Sequence, residues 1–213
     1  MRRAEFNITP TIDDDGIATA QTASAAGYLT LNGALVSGGK WSISGYGQKV
    51  TVTSGGNDVG ITFTVYGKDV DGKTTTEVLT GANTGAVTTS AYMKEVDSVY
   101  ASGATANTAK VGLVALSASP TYVVNYKMPN FKASISEIVT GTVNATCQHT
   151  FDDVFASTWT AASATWFPND ATELVGFTAN QNGNYAFPPV ACRTIINSAS
   201  AGGAVRFIVI VPE

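Results

Sequence analysis

The only histidine in the chain, His149, lies in the run Gln148-His149-Thr150-Phe151-Asp152-Asp153. An imidazole with two nearby carboxylates is the raw material of a metal site or an acid–base pair. The spacing argues against that use. On a strand, His149 points away from the face that holds Gln148 and Thr150. The two aspartates fall at the strand's end, where a turn is the simpler role. No Gly-x-Ser-x-Gly elbow is present, so a serine hydrolase has no support. Asp69-Val70-Asp71-Gly72 opens like a calcium loop, but the twelfth position, Thr80, lacks the required carboxylate, and a hairpin turn is the expected use. Asp13-Asp14-Asp15 offers weak cation binding, but a solvated or inter-subunit acidic turn is the expected use. Cys147, Cys192 and one histidine are too few and too widely spaced for zinc. Both cysteines are expected as buried free thiols. No catalytic residue, cofactor or metal is expected, and the chain reads as a non-enzyme.

The aromatic residues Trp159, Trp166, Phe167, Tyr185 and Phe187 are the more informative set. Aromatic faces on loops can stack on sugars, and they can equally fill a subunit interface. Trp159, Trp166 and Phe167 are therefore candidate interface residues, with weak glycan contact as the alternative. Asn144-Ala145-Thr146 and Asn7-Ile8-Thr9 match the glycosylation pattern. The N-terminus lacks the apolar run of a secretion signal, so folding in the cytoplasm of the cell that makes it is expected and both matches are discounted.

The elements that position these residues read as strands. Ile61, Phe63 and Val65 alternate with Thr62, Thr64 and Tyr66, and a second Thr-rich run, Thr74–Thr80, follows the Asp71-Gly72 turn. Further strands are expected over Tyr28–Val36, Trp41–Ser44, Gln48–Ser54, Met93–Ala101 and Lys110–Leu116. After the small-residue break Ser117-Ala118-Ser119-Pro120 they continue over Tyr122–Tyr126, Ala133–Ile138, Thr142–Phe151, Thr172–Thr178, Val190–Asn197 and Ala204–Val211. The last is apolar almost throughout, as a central strand or an edge awaiting another chain would be. The best helical candidate, 86–93, is short. Residues 1–27 carry few core-sized side chains beyond Phe6 and Ile8. They read as an extended arm whose Arg2, Arg3, Phe6 and Ile8 meet a neighbouring subunit. The expected fold is all-β: an N-terminal arm (1–27) and two antiparallel β-sandwich domains, Ig-like or jelly-roll-like, over 28–118 and 119–213.

The 213 residues suit two sandwiches of roughly 90–100 residues each. Charged residues are 13%, about half the usual ~25%. Such a surface repels its own copies weakly and suits a protein covered by neighbours. The net charge of −4 and the lack of a dense basic stripe argue against direct nucleic-acid binding. No run of 18 apolar residues is present, so no membrane-spanning helix is expected.

The segments Gly60–Val65, Asp71-Gly72-Lys73, Glu77–Gly85, Tyr92–Val96, Ser98–Thr105 and Val111-Gly112 resemble a pattern in virion proteins of tailed bacteriophages. The second half is similar to a companion module of such proteins, in Val143–Asp153, Trp166-Phe167, Phe187–Arg193 and Gly202–Val211. The resemblance spans about residues 30–213 and consists of strand and turn patterns. It implies a virion component, whether head decoration (cement) protein or neck or tail component. It also implies partners among copies of itself and other virion proteins, the major capsid protein first. It carries no active-site residues. A glycan-binding adhesin remains the reading from a different class.

Overall fold

Alternation of β-branched or aromatic residues with small polar ones favours half-buried strands, and the computed structural model is all-β. It describes residues 2–127 and 131–211. Met1, at the end of the expected basic arm, lies outside them. In chain order the strands are β1 (Arg2–Ile8), β2 (Asp13–Gln21), β3 (Gly27–Tyr28), β4 (Val36–Ser37), β5 (Lys40–Ser42) and β6 (Gly47–Asn57). Next come β7 (Thr62–Asp69), β8 (Thr74–Thr80), β9 (Asn83–Thr88), β10 (Met93–Ala101), β11 (Ala109–Ala118) and β12 (Tyr122–Val123). The rest are β13 (Ala133–Thr140), β14 (Val143–Thr150), β15 (Phe167–Pro168), β16 (Gln181–Tyr185), β17 (Ala191–Ala199) and β18 (Ala204–Val211). One 3-10 turn, Thr172–Leu174, stands where a strand was expected. The helical candidate at 86–93 is occupied by the end of β9 and the start of β10. Among the described residues no helix is long and apolar enough to cross a membrane. The chain divides into two units, Thr11–Val114 and Met1–Pro10 with Ala115–Glu213.

In the unit Thr11–Val114, β7 and β8 form the expected hairpin, Thr62 opposite Thr80 through Lys68 opposite Thr74. The Asp69 carboxylate accepts the backbone N–H of Asp71 (3.0 Å) and of Lys73 (2.9 Å), and Gly72 takes the left-handed φ of 84° that such a turn requires. β7 also pairs with β10, β6 with β9, and β2 with β11. Trp41, Val50, Val52, Phe63, Val65, Met93, Val96, Val99 and Leu113 form one core. The expected strand Tyr28–Val36 is largely loop. Gly33 and Leu35 donate to the carbonyls of Ile17 and Gly16, so the segment is tied to β2 instead of continuing a ladder. On the rim, Glu95 accepts from Lys40 and Lys68, both at 2.6 Å, and the two ammonium groups pull its carboxyl down to about 2.

The second unit corrects the reading of the N-terminus. Residues 2–8 are not an arm lying on a neighbour. They are an edge strand of this unit's four-stranded antiparallel sheet, ordered β1-β18-β13-β16. The register runs from Arg2 opposite Val211 to Ile8 opposite Val205. Phe6 stacks on Phe207 at 5.9 Å and meets Tyr122 edge-on at 6.3 Å, and Ile8 is fully buried. Asp13–Gln21 likewise pairs within its own unit. The physical reason is the apolar β18. Its free edge needs a partner, and the N-terminal strand supplies one from the same chain. β18 is thus a central strand. Apolar side chains of this sheet meet those of β12, β14 and β17 in a core that includes Tyr122, Ile135, Cys147, Tyr185, Cys192, Phe207 and Val209.

Candidate functional site

β14 and β17 pair from Val143 opposite Ala199 to Thr150 opposite Ala191, and the short β15 adds to β14 at Gln148 and His149. Between them the chain leaves as the loop 151–166. Asp152 and Asp153 serve as turn formers there, as expected. The Asp152 carboxylate accepts the N–H of Thr165 (2.6 Å) and closes the loop, and that of Asp153 accepts the N–H of Phe155 (3.0 Å). Trp159 is buried. Trp166 donates its indole N–H to the Ala161 carbonyl (2.9 Å), and the Arg193 guanidinium lies 3.8 Å from its ring centre. Arg193 is itself buried and donates from Nε to Gln148 (2.9 Å). Trp159 is therefore held within the loop, and Trp166 is half-buried with one ring face covered by Arg193.

The rings that do reach solvent are phenylalanines. Phe151 is 53% exposed, Phe155 68% and Phe167 45%. Phe151 and Phe167 lie 6.1 Å apart, and Phe187 is 5.9 Å from Phe151. Beneath them sits His149, only 3% exposed. Its ring is 5.2 Å from Phe151, 5.2 Å from Tyr185, 5.3 Å from Phe187 and 5.9 Å from Phe167. Burial lowers its pKa, and Asp170 opposes that shift. Nδ1 has no hydrogen-bond partner among the described residues. His149 is thus a neutral imidazole packed as a fifth ring. Of the expected interface residues, the structure brings Phe167 to this face. It leaves Arg2 and Arg3 exposed on the edge strand β1, where Arg3 pairs with Glu5. It places Phe6 and Ile8 in their own unit's core.

The core below holds the expected free thiols, Cys147 and Cys192, both buried. Cys147 lies opposite Thr194 and Cys192 opposite His149, so the two are diagonal neighbours, roughly 7–8 Å apart and beyond easy disulfide reach. Beside them is Glu137, fully buried. It accepts a hydrogen bond from the Thr194 hydroxyl on Oε1, while Oε2 has no partner among the described residues. Desolvation pushes its carboxyl up to about 8, against the opposing Thr194 bond. The acid is therefore neutral through most of the physiological range. Sequence reading passed over it, because a lone glutamate in Ser136-Glu137-Ile138 looks like a solvent-facing position. Only the alternation Ile135, Glu137 inward hints otherwise. The acidic trio Asp13, Asp14 and Asp15 brings its carboxylates within 4.8 Å of one another, with Lys110 paired to Asp14.

No protein-family model and no curated protein sequence matches the chain. What it does is read from its own residues.

Proposed function

We propose that the chain is a non-enzymatic structural protein of a tailed-phage virion, built of two β-sandwich domains and acting as a head decoration protein. The observation that carries this reading is the exposed aromatic face of Phe151 and Phe167, together with the exposed Phe155 on the loop 151–166, whose shape is set by its own hydrogen bonds and by Arg193 over Trp166. Exposed aromatic patches mark partner surfaces, where such rings are enriched. A loop already held in one conformation loses little entropy on docking. The 13% charge leaves little repulsion between copies crowded on a shell. Individually weak contacts repeated over a symmetric lattice then add up to firm attachment. The partners on this reading are the major capsid protein and further copies of the chain, in a virion assembled in the host cytoplasm. The test is cosedimentation of purified protein with phage heads that lack it. The double variant Phe151→Ser, Phe155→Ser should keep its fold by circular dichroism and lose head binding at least tenfold. Binding at parental affinity overturns the reading, and attachment confined to necks or tails moves the protein to those parts of the virion.

A further inference from the structure

A cleft of about 500 Å³ opens beside the aromatic face, lined by Asp170, Glu173, Asn182, Asn184, Phe187 and the backbone of Gly183. Its size falls in the roughly 300–1,000 Å³ range of small-molecule sites. Two local features build it. The first is the edge strand β16, which among the described residues pairs on one side only, with β13. Along it Tyr185 is buried in the core while Asn182 and Asn184 are exposed on the other face, roughly 7 Å apart by strand geometry. The second is the 3-10 turn Thr172–Leu174. Its Leu174 is fully buried, and a side chain at position 183 would place Cβ only 2.6 Å from Leu174 Cδ1. Gly183 is therefore what lets Leu174 seat. That seating holds Glu173 and the preceding Asp170 at the cleft.

We propose that this cleft binds a neutral saccharide. The chemistry of the lining selects the class. Two side-chain amides offer donors and acceptors together, and two carboxylates accept from adjacent hydroxyls, which is the mixed demand of a polyol. Phe187 gives an apolar ring surface for the C–H face of a sugar. No lysine or arginine among the described residues lines the cleft, so phosphate, sulfate and acidic sugars find no counter-charge. A basic side chain would engage the two carboxylates and leave both amides idle. The site is separate from Trp159 and Trp166, and the proposal does not depend on the virion reading.

The experiment is a chemical-shift titration of the full-length protein with maltotriose, cellotriose and chitotriose, with calcium chloride and N-acetyl-arginine amide as competing probes. Saturable shifts centred on Asn182, Asn184 and Phe187 with at least one trisaccharide are expected. The variant Asn182→Ala, Asn184→Ala alters only exposed side chains, should keep the parental spectrum elsewhere, and should weaken binding roughly tenfold or more. The proposal is overturned if no trisaccharide shifts the cleft, if the shifts map elsewhere, or if only calcium or the arginine derivative binds there.

Discussion

Glu137 makes the stability of its unit depend on pH in a way that one substitution removes. Its carboxyl is fully buried and titrates near 8, against an ordinary value of 4.5. In the unfolded chain it ionises first. Between these two values the unfolded state therefore holds fewer protons, and stability falls as pH rises. At about 1.4 kcal/mol for each factor of ten, the loss over the whole window is roughly 5 kcal/mol, and about 3 kcal/mol of it has occurred by neutral pH. Below the ordinary value the contribution is fully present. His149 runs the other way, because its lowered pKa makes stability fall as pH drops. The comparison that isolates Glu137 is therefore between parent and Glu137→Gln. The amide keeps an acceptor for Thr194 but cannot ionise. Unfolding in urea can be followed by reaction of Cys147 and Cys192 with a dithiodipyridine reagent, since both thiols are buried in this same unit. The stability difference, variant minus parent, should rise by several kcal/mol from pH 5 to pH 8. Parallel curves for the two proteins across that range would refute the burial argument.

Four further outcomes are expected. Mass spectrometry after alkylation of the unfolded, unreduced protein should show two modified cysteines, and a Cys147–Cys192 cross-linked peptide would contradict the diagonal placement. Ile8→Ala should cost about 2–5 kcal/mol by denaturant titration of the thiol-bearing unit, as for a core residue, and a change below about 0.5 kcal/mol would return residues 2–8 to the status of a free arm. Glu95→Gln should destabilise the other unit by about 1 kcal/mol at neutral pH. That contribution is absent once pH falls through about 2, which an acid titration of parent and variant checks. Arg193→Ala should speed proteolysis within the loop 151–166 by removing the cation over Trp166 and the bond to Gln148, and an unchanged cleavage rate would show that the loop is held by other means.

The strands with strong alternation were legible in the sequence. Phe63 and Val65 inward with Tyr66 outward, the Asp71-Gly72 turn and the apolar run of β18 all correspond to observed elements. What escaped was set by long-range pairing. Arg2–Ile8 has only two large apolar residues, yet it forms a strand because β18, some 200 residues away, presents an edge. Gln181–Tyr185 falls in none of the expected strands, and its run Asn180-Gln181-Asn182-Gly183-Asn184 is polar. It is a strand because Tyr185 anchors one end in the core and β13 pairs along its length. Trp159 and Trp166 were correctly placed on a loop, but which way Trp166 faced depended on Arg193, 27 residues beyond it and on another strand. The Asn182/Asn184 alternation was the one local signal for the cleft. The boundary near residue 117 coincides with a compositional change, whereas the units divide by contact at Ala115, with the first ten residues joining the later half.

The central claim is that the chain attaches to a virion head through the phenylalanine face. Cryo-electron microscopy of tailed-phage heads mixed with the purified protein tests it most directly. The account predicts repeated copies at symmetry-related positions on the head shell, with Phe151, Phe155 and Phe167 buried against a neighbouring protein. Particles without the protein, or with it bound while those three rings face solvent, would contradict it.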